Sequence, residues 1–332
     1  MNILITGGSG YIGSFTVQAI KKNGSDSVVV FDDLAKGHKE AIPGVKIYKG
    51  NLLKDQRLLD QAFKENNVEA VIHFAAHIEA GESVENPQKH IINNVCGSIN
   101  LFKAMLENKV NKLVFSSSAA VYGNPKNIPV SENEENNPTN PYGETKSIVE
   151  KIIYWYSQAY DFNAVALRYF NAAGAALDGS MGQDYPKPTH LITRACEAAL
   201  GKRDDFQIFG GDYDTKDGTA VRDYIHVLDL ASAHMAALDY LKSNNGFEIF
   251  NIGSGVGYSV KEVVDTVKKV SGVNFLAPVV ERRAGDPSKL IADANKAKKT
   301  LRWEAKHSDI ETIIQSAWLW QKNNPEGYSK DQ

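Results

Sequence analysis

A short apolar strand that runs into a glycine-rich turn and then into a helix constrains this chain more than any other feature. Residues Met1-Asn-Ile-Leu-Ile-Thr6 lead to Gly7-Gly8-Ser9-Gly10-Tyr11-Ile12-Gly13, and the amphipathic run Phe15 to Lys22 follows at once. The turn reads as G-x-x-G-x-x-G and, from Gly8, also as G-x-G-x-x-G. Between a strand and a helix this is the fingerprint of a dinucleotide cradle. Glycines permit the tight turn and let backbone N–H groups approach a pyrophosphate at the positive end of the helix. The next strand, Val28 to Phe31, ends in Asp32-Asp33. A carboxylate about twenty residues past the turn accepts hydrogen bonds from the adenosine ribose and repels a 2′-phosphate, so it selects NAD over NADP.

A second constellation lies further on. The run Lys112-Leu-Val-Phe115 empties into Ser116-Ser117-Ser118, and Tyr142-Gly-Glu-Thr-Lys146 opens a helical stretch. Residues at i and i+4 share a helix face, so a phenol and an ammonium meet in one place. A tyrosine titrates near pH 10, and a neighbouring positive charge favours its anion. Bringing it to about 7 takes roughly 3 pH units, or about 4 kcal/mol, which a lysine and an oxidised nicotinamide together are expected to supply. That is the chemistry of taking a proton from a sugar hydroxyl.

The chain has 332 residues, enough for one large or two small domains, with 23% charged residues and a net charge of −3. No basic surface points to nucleic acid. The apolar runs are strand-length and Met1 leads directly into the first strand, so neither a signal peptide nor a membrane span is expected. Cys96 and Cys196 are too few for a disulfide framework, which fits a reducing cytoplasm. Cys96 is expected to pack within its helix. Strands are expected at 2–5, 28–31, 45–49, 70–74, 112–116 and 163–169, with helices near 11–22, 57–66, 88–108 and 142–160. Such alternation implies an α/β fold with a doubly wound parallel sheet. Asn140-Pro141 is a good cap and first-turn pair for the helix that carries Tyr142. Beyond about Asn171, strands are expected at 205–209 and 274–280 and helices at 190–200, 259–270 and 308–322. Segment 224–256 reads as strand, helix, strand returning to the first sheet. The expected domains are therefore 1–170 plus 224–256, and a smaller discontinuous one of 171–223 plus 257–332. His73 and His77 have helical spacing, but His73 ends a strand and no Glu or Cys cluster completes a site, so no metal is expected.

The glycine loop, the serine run and the Tyr-x-x-x-Lys pair occur with Leu167-Arg-Tyr-Phe-Asn171, Val221-Arg-Asp-Tyr-Ile-His-Val227 and Arg282-Arg-Ala-Gly-Asp286. In that order the chain, from Met1 to about Tyr328, resembles the extended short-chain dehydrogenase/reductase family. Within it, the chain is similar to members that epimerise UDP-glucose and UDP-galactose at C4. The resemblance implies a Rossmann-type fold, resident NAD, a UDP-sugar substrate and a homodimer that pairs helices 88–108 and 142–160. Catalysis would fall to Ser118, Tyr142 and Lys146. The cofactor would meet Gly7, Gly10, Tyr11, Ile12, Gly13, Asp32, Asp33, Asn51, Leu52, Phe74, Ala75, Ala76, Asn93, Ser116, Tyr169 and Phe170, besides Tyr142 and Lys146. The substrate would meet Ser118, Tyr142, Asn171, His190, Leu191, Gln207 and Phe209, with Arg222 and Arg283 on the diphosphate, Asp286 on the uridine ribose and Leu290 beside the sugar.

The same family contains dehydratases, which place an Asp-Glu pair before a Val-Tyr-Gly segment, and decarboxylases with a glutamate there. Here Ala119-Ala120 precede Val121-Tyr122-Gly123, so elimination has no proton donor. Epimerisation needs only removal and return of the C4 hydrogen. Pentose and uronate epimerases remain alternatives, as does a nucleotide sensor, although sensors typically lose the tyrosine or the lysine. Three positions depart from the family pattern: Asn51 for an aspartate, Ile78 for a lysine near the cofactor phosphates, and Leu290 where relatives carry a tyrosine or a small residue. Weaker cofactor retention and some activity on UDP-N-acetylglucosamine are the expectations that follow.

Overall fold

The computed structural model describes residues 1–283 and 285–328; Ala284, inside the Arg282–Asp286 motif, and the last four residues of the expected smaller domain lie outside the described residues. In chain order the strands are β1 Asn2–Thr6, β2 Ser27–Asp32, β3 Lys46–Lys49, β4 Ala70–His73, β5 Lys112–Ser118, β6 Asn163–Tyr169, β7 Asn171–Ala173, β8 Ile208–Phe209, β9 Val221–His226, β10 Phe247–Ile252, β11 Gly257–Ser259, β12 Val279–Val280 and β13 Lys289–Leu290. Seven of them form one sheet in the order β10-β6-β5-β4-β1-β2-β3. Every pairing in it is parallel.

The inner strands of the sheet are buried on both faces and largely apolar, whereas the edge strand β3, Lys46-Ile-Tyr-Lys49, is partly exposed. Successive side chains point to opposite faces. Ile3 and Ile5 accordingly join one core with Val17, Ile20, Leu230 and Phe250. Leu4 joins the other with Phe31, Phe102, Met105, Phe115 and Ile153. The first core is covered by helices Tyr11–Asn23 and Val227–Tyr240, the second by Gln56–Glu65, Gly97–Glu107 and Pro141–Ala159. Helix 11–23 stops at Gly24, which adopts the left-handed φ of 71° that glycine takes without penalty.

Helix Pro141–Ala159 begins where its cap dictates. The Asn140 side chain accepts from the Gly143 N–H at 2.9 Å, and Pro141 occupies the first turn. Its body is pinned to the sheet by a buried ion pair. Arg168 on β6 donates through Nε at 2.9 Å and Nη2 at 2.6 Å to the Glu150 carboxylate, and the Ser117 hydroxyl of β5 donates to the same carboxylate at 2.5 Å. The planar fork of arginine makes such a two-pronged contact directional.

Three sequence expectations need correction. Within the expected return at 224–256, helix Val227–Tyr240 and β10 do join the large sheet, but the preceding strand does not. β9 pairs with β7, β11 and β13 in a second, four-stranded sheet. The buried Asp223 carboxylate of β9 accepts from Ser254 N and Gly255 N, in the loop after β10, and from Ala292 N, after β13, and so ties β9 to both units. The strands expected at 205–209 and 274–280 shrink to the two-residue pair β8 and β12. Finally, Cys96 is exposed rather than packed. It closes a π-helical turn, Ile92–Cys96, and falls on the outer face with Ile92 and Ile99.

The rest of the smaller unit packs helices Leu191–Ala199, Val260–Ser271 and Ile310–Asn323 around Ile192, Cys196, Val263, Val267 and Ile313. It stands over the carboxyl ends of the large sheet's strands.

Candidate active site

β1 has β2 on one side and β4 on the other, and the chain leaves their carboxyl ends in diverging directions. Open α/β sheets bind ligands at such a switch point. A cavity of about 440 Å³ lies there. Its floor is the glycine turn: an added Cβ at Gly7 would stand 2.6 Å from Ala75 N, and one at Gly13 would stand 2.3 Å from Gly7 O. Any larger residue would fill the cradle and push the turn from the loop after β4.

Every expected cofactor residue except Lys146 lines this cavity. Asp32, at the end of β2, accepts from Ser9 N and from Leu34 N, each at 2.9 Å. Burial raises its carboxyl pKa against those two bonds. Asn51 donates its amide to Asp33 at 2.9 Å and accepts from Leu53 N at 2.9 Å. An aspartate at 51 would face the Asp33 carboxylate, so this departure from the family pattern is matched to its neighbour. Glycine cradle, ribose-facing carboxylate and cavity together fit NAD.

Lys146 lies beneath the cavity wall, almost fully buried, and donates to Ser116 O at 2.7 Å. Its Nζ is 5.8 Å from the centre of the Tyr142 ring. Burial pushes Lys146 down to about 7, while Glu150 pulls the other way. Burial likewise pushes Tyr142 up to about 12, against a hydrogen bond from Ser118. The expected acidification draws on the lysine and an oxidised nicotinamide together; without the nicotinamide, desolvation dominates and the lysine donates to a carbonyl. Asn94 locks this helix to the opposite wall, donating to Thr145 Oγ1 and to His77 O at 3.0 Å each.

The expected substrate residues divide between this cavity and an adjoining one of about 260 Å³. Asn171, His190, Arg222 and Asp286 line both, forming the seam. Leu191, Gln207, Phe209 and Arg283 line only the second; Ser118, Tyr142 and Leu290 line only the first. Arg222 stands 3.6 Å from Asp286, and the Arg283 guanidinium lies 4.0 Å over the Phe209 ring. Leu290 packs against Ala119, Tyr122 and Phe170 at the cavity edge.

Some residues at the site were not found from sequence. Tyr185, Thr139 and Lys36 line the first cavity, and Lys36 forms an ion pair with Glu79. They lie in loops without periodicity, where only the folded chain shows the partner. His73 and His77 do not pair: the His73 ring is held between Thr6 at 2.6 Å and Ser98 at 2.9 Å. The structure instead gathers Glu79, Glu82 and His90, a cluster the sequence reading missed. Both carboxylates pair with lysines, Glu79 with Lys36 and Glu82 with Lys89, and Glu82 also meets His90 Nε2 at 3.2 Å.

A dinucleotide cradle beside a buried Tyr-Lys pair defines an NAD-linked enzyme of the Rossmann type. The chain belongs to the NAD dependent epimerase/dehydratase family, whose family model matches residues 3–253. It is 47% identical to the UDP-glucose 4-epimerase of Halalkalibacterium halodurans over 100% of this chain and 98% of that one. Among solved structures, UDP-glucose 4-epimerase from Brucella ovis in complex with NAD superposes with a TM-score of 0.92 at 42% identity, covering 96% of this chain and 97% of that one. The UDP-Glc/GlcNAc 4-epimerase from Campylobacter jejuni gives a TM-score of 0.84 at 47% identity, covering 97% and 99%.

Proposed function

We infer that this chain interconverts UDP-glucose and UDP-galactose by NAD-dependent epimerisation at C4. The observation that carries the reading is the seam. Tyr142 and Ser118 open into the cofactor cavity, close to the wall it shares with the arginine-bearing cavity. A UDP-sugar anchored by Arg222 and Arg283, with Asp286 on its ribose, would present its sugar to the phenol. Guanidinium forks suit diphosphate oxygens. Asn171, His190, Leu191, Gln207 and Phe209 would wall the nucleotide.

NAD, held by the glycine turn and Asp32, supplies a hydride acceptor at C4 and a positive ring charge beside the phenol. Tyr142 takes the C4 hydroxyl proton, and Ser118 hydrogen-bonds that oxygen throughout. With its amine near 7, Lys146 can hold or release a proton close to neutral pH. Once the 4-keto sugar has turned over and been reduced on its other face, Tyr142 would give the proton back to the C4 oxygen, which restores the phenolate. Ala119 and Ala120 give the wall beside Ser118 methyl groups, which cannot protonate a departing hydroxyl. Tyr142→Phe is expected to lower turnover of UDP-galactose by on the order of 10²–10⁴ while NAD stays bound. Near wild-type turnover in a coupled assay would remove Tyr142 as the base.

UDP-N-acetylglucosamine is a second substrate on this reading. Leu290 lines the cavity where a tyrosine would narrow it, and the similar Campylobacter jejuni enzyme is described as acting on both glucose and N-acetylglucosamine forms. An N-acetyl methyl on that apolar wall gains about 25 cal/mol per Å² buried. Leu290→Tyr is expected to suppress the N-acetyl substrate far more than UDP-glucose; equal losses would show that Leu290 merely packs.

The chain is further proposed to act as a cytoplasmic homodimer. Phe102 and Met105 are spent on the sheet core, but Ile91, Ile92, Ile99, Tyr154 and Trp155 remain exposed on the outer faces of their helices. Trp155 is 67% exposed, a cost that a two-fold partner face would remove. Sedimentation at micromolar concentration should show a dimer, and Trp155→Lys should shift it to monomer; a wild-type monomer would end the proposal.

A further inference from the structure

An ion pair stands at the edge of the cofactor cavity. Lys36 stands in the segment after β2 and Glu79 in the segment after β4, and their side chains form an ion pair. Since β2 and β4 are the two neighbours of β1, the pair spans the carboxyl end of β1, where the glycine turn lies. Both abutments are held. His38 N donates to Ser9 O at 2.9 Å, and Gly37 packs so closely that an added Cβ would stand 2.7 Å from the Ser9 Cβ. On the other side, Glu79 O accepts from Ser83 N at 2.9 Å in the first turn of helix Ala80–Glu85. The second Glu79 oxygen accepts from Ile78 N at 3.2 Å.

A dinucleotide that reaches from Asp32 to Tyr142 must run from the β2 side, across β1 and β4, to the β5 side. It therefore runs along the span of this bridge. Among the described residues lining the cavity, the lysine and arginine side chains are Lys36 and Arg222. Arg222 belongs to the far end, beside Asp286. Lys36 is thus the ammonium nearest the glycine turn, and Glu79 determines where it is held.

We propose that Lys36 and Glu79 retain the cofactor, their ion pair forming a removable bridge over bound NAD that must open before the dinucleotide leaves. Burial raises the Glu79 carboxyl, yet the hydrogen bond and charge of Lys36 outweigh it and leave its pKa lowered, so Glu79 is a carboxylate at neutral pH. The side chains are 36% and 22% exposed, which leaves the bridge open to screening by salt.

This rests on the NAD-binding reading but not on the sugar chemistry, so the test contains no UDP-sugar. Protein loaded with NAD is mixed with excess NADH, and release of NAD is read from the fluorescence of NADH as it binds. Lys36→Met and Glu79→Gln should each speed release by about two- to fivefold, the range expected for a partly shielded pair. The double exchange Lys36→Glu with Glu79→Lys should restore slow release. Rising ionic strength should accelerate release from the wild type and leave Glu79→Gln unchanged. Slower or unaltered release in Glu79→Gln would overturn the proposal, since Lys36 would then act on the pyrophosphate alone. A salt-independent wild-type rate, or a double exchange that stays fast, would also overturn it.

Discussion

The site depends on how closely the turn after β1 can approach the loop after β4. At Gly7 and Gly13 a single added carbon would collide with backbone, at 2.6 Å and 2.3 Å. With the glycines in place, the helix N-terminus faces the cavity and Asp32 reaches Ser9 from the neighbouring strand. Two further strand spacings, about 10 Å, lead from β1 to β5 and its serines. Cradle and catalytic wall are thus set at a fixed separation by sheet order alone.

The second fixed point is the start of helix Pro141–Ala159. Asn140 and Pro141 determine its first turn, and the Glu150–Arg168 pair determines how it lies on β5 and β6. Between these anchors Tyr142 and Lys146 have little freedom. Their burial makes both charged forms costly: the phenol is raised to about 12 and the amine lowered to about 7. Burial thus favours a neutral phenol, and positive charge beside it favours its anion.

Periodicity and punctuation made much of this legible. The six strands of the first half, their helices and the Asn140 cap follow from apolar runs, glycines and a proline, all of which act locally. The family resemblance also named residues that the structure gathers at the two cavities, from the strand ends at Asp32 and Ser118, the helix starts at Tyr142 and Leu191 and the loop of Asp286. The sequence pattern failed where a distant partner decides the outcome. β9 looks like a return to the large sheet until its pairing with β7, β11 and β13 is seen. Cys96 looks like core until the π-helical turn directs it outward. Lys36 and Glu79 lie in two aperiodic loops, and nothing in either loop announces the other. The spacing of Tyr142 and Lys146 shows a charge beside the phenol but not how strongly burial opposes its ionisation.

The central claim is that the hydrogen removed from C4 is stored in the site and returned to the same carbon. The protein should be incubated in ordinary water with UDP-galactose carrying deuterium at C4, with no added reductant, and the UDP-glucose examined by mass and by proton resonance. The account predicts product that retains deuterium at C4. Product with deuterium lost to solvent, or no conversion unless reduced nicotinamide is supplied stoichiometrically, would contradict it.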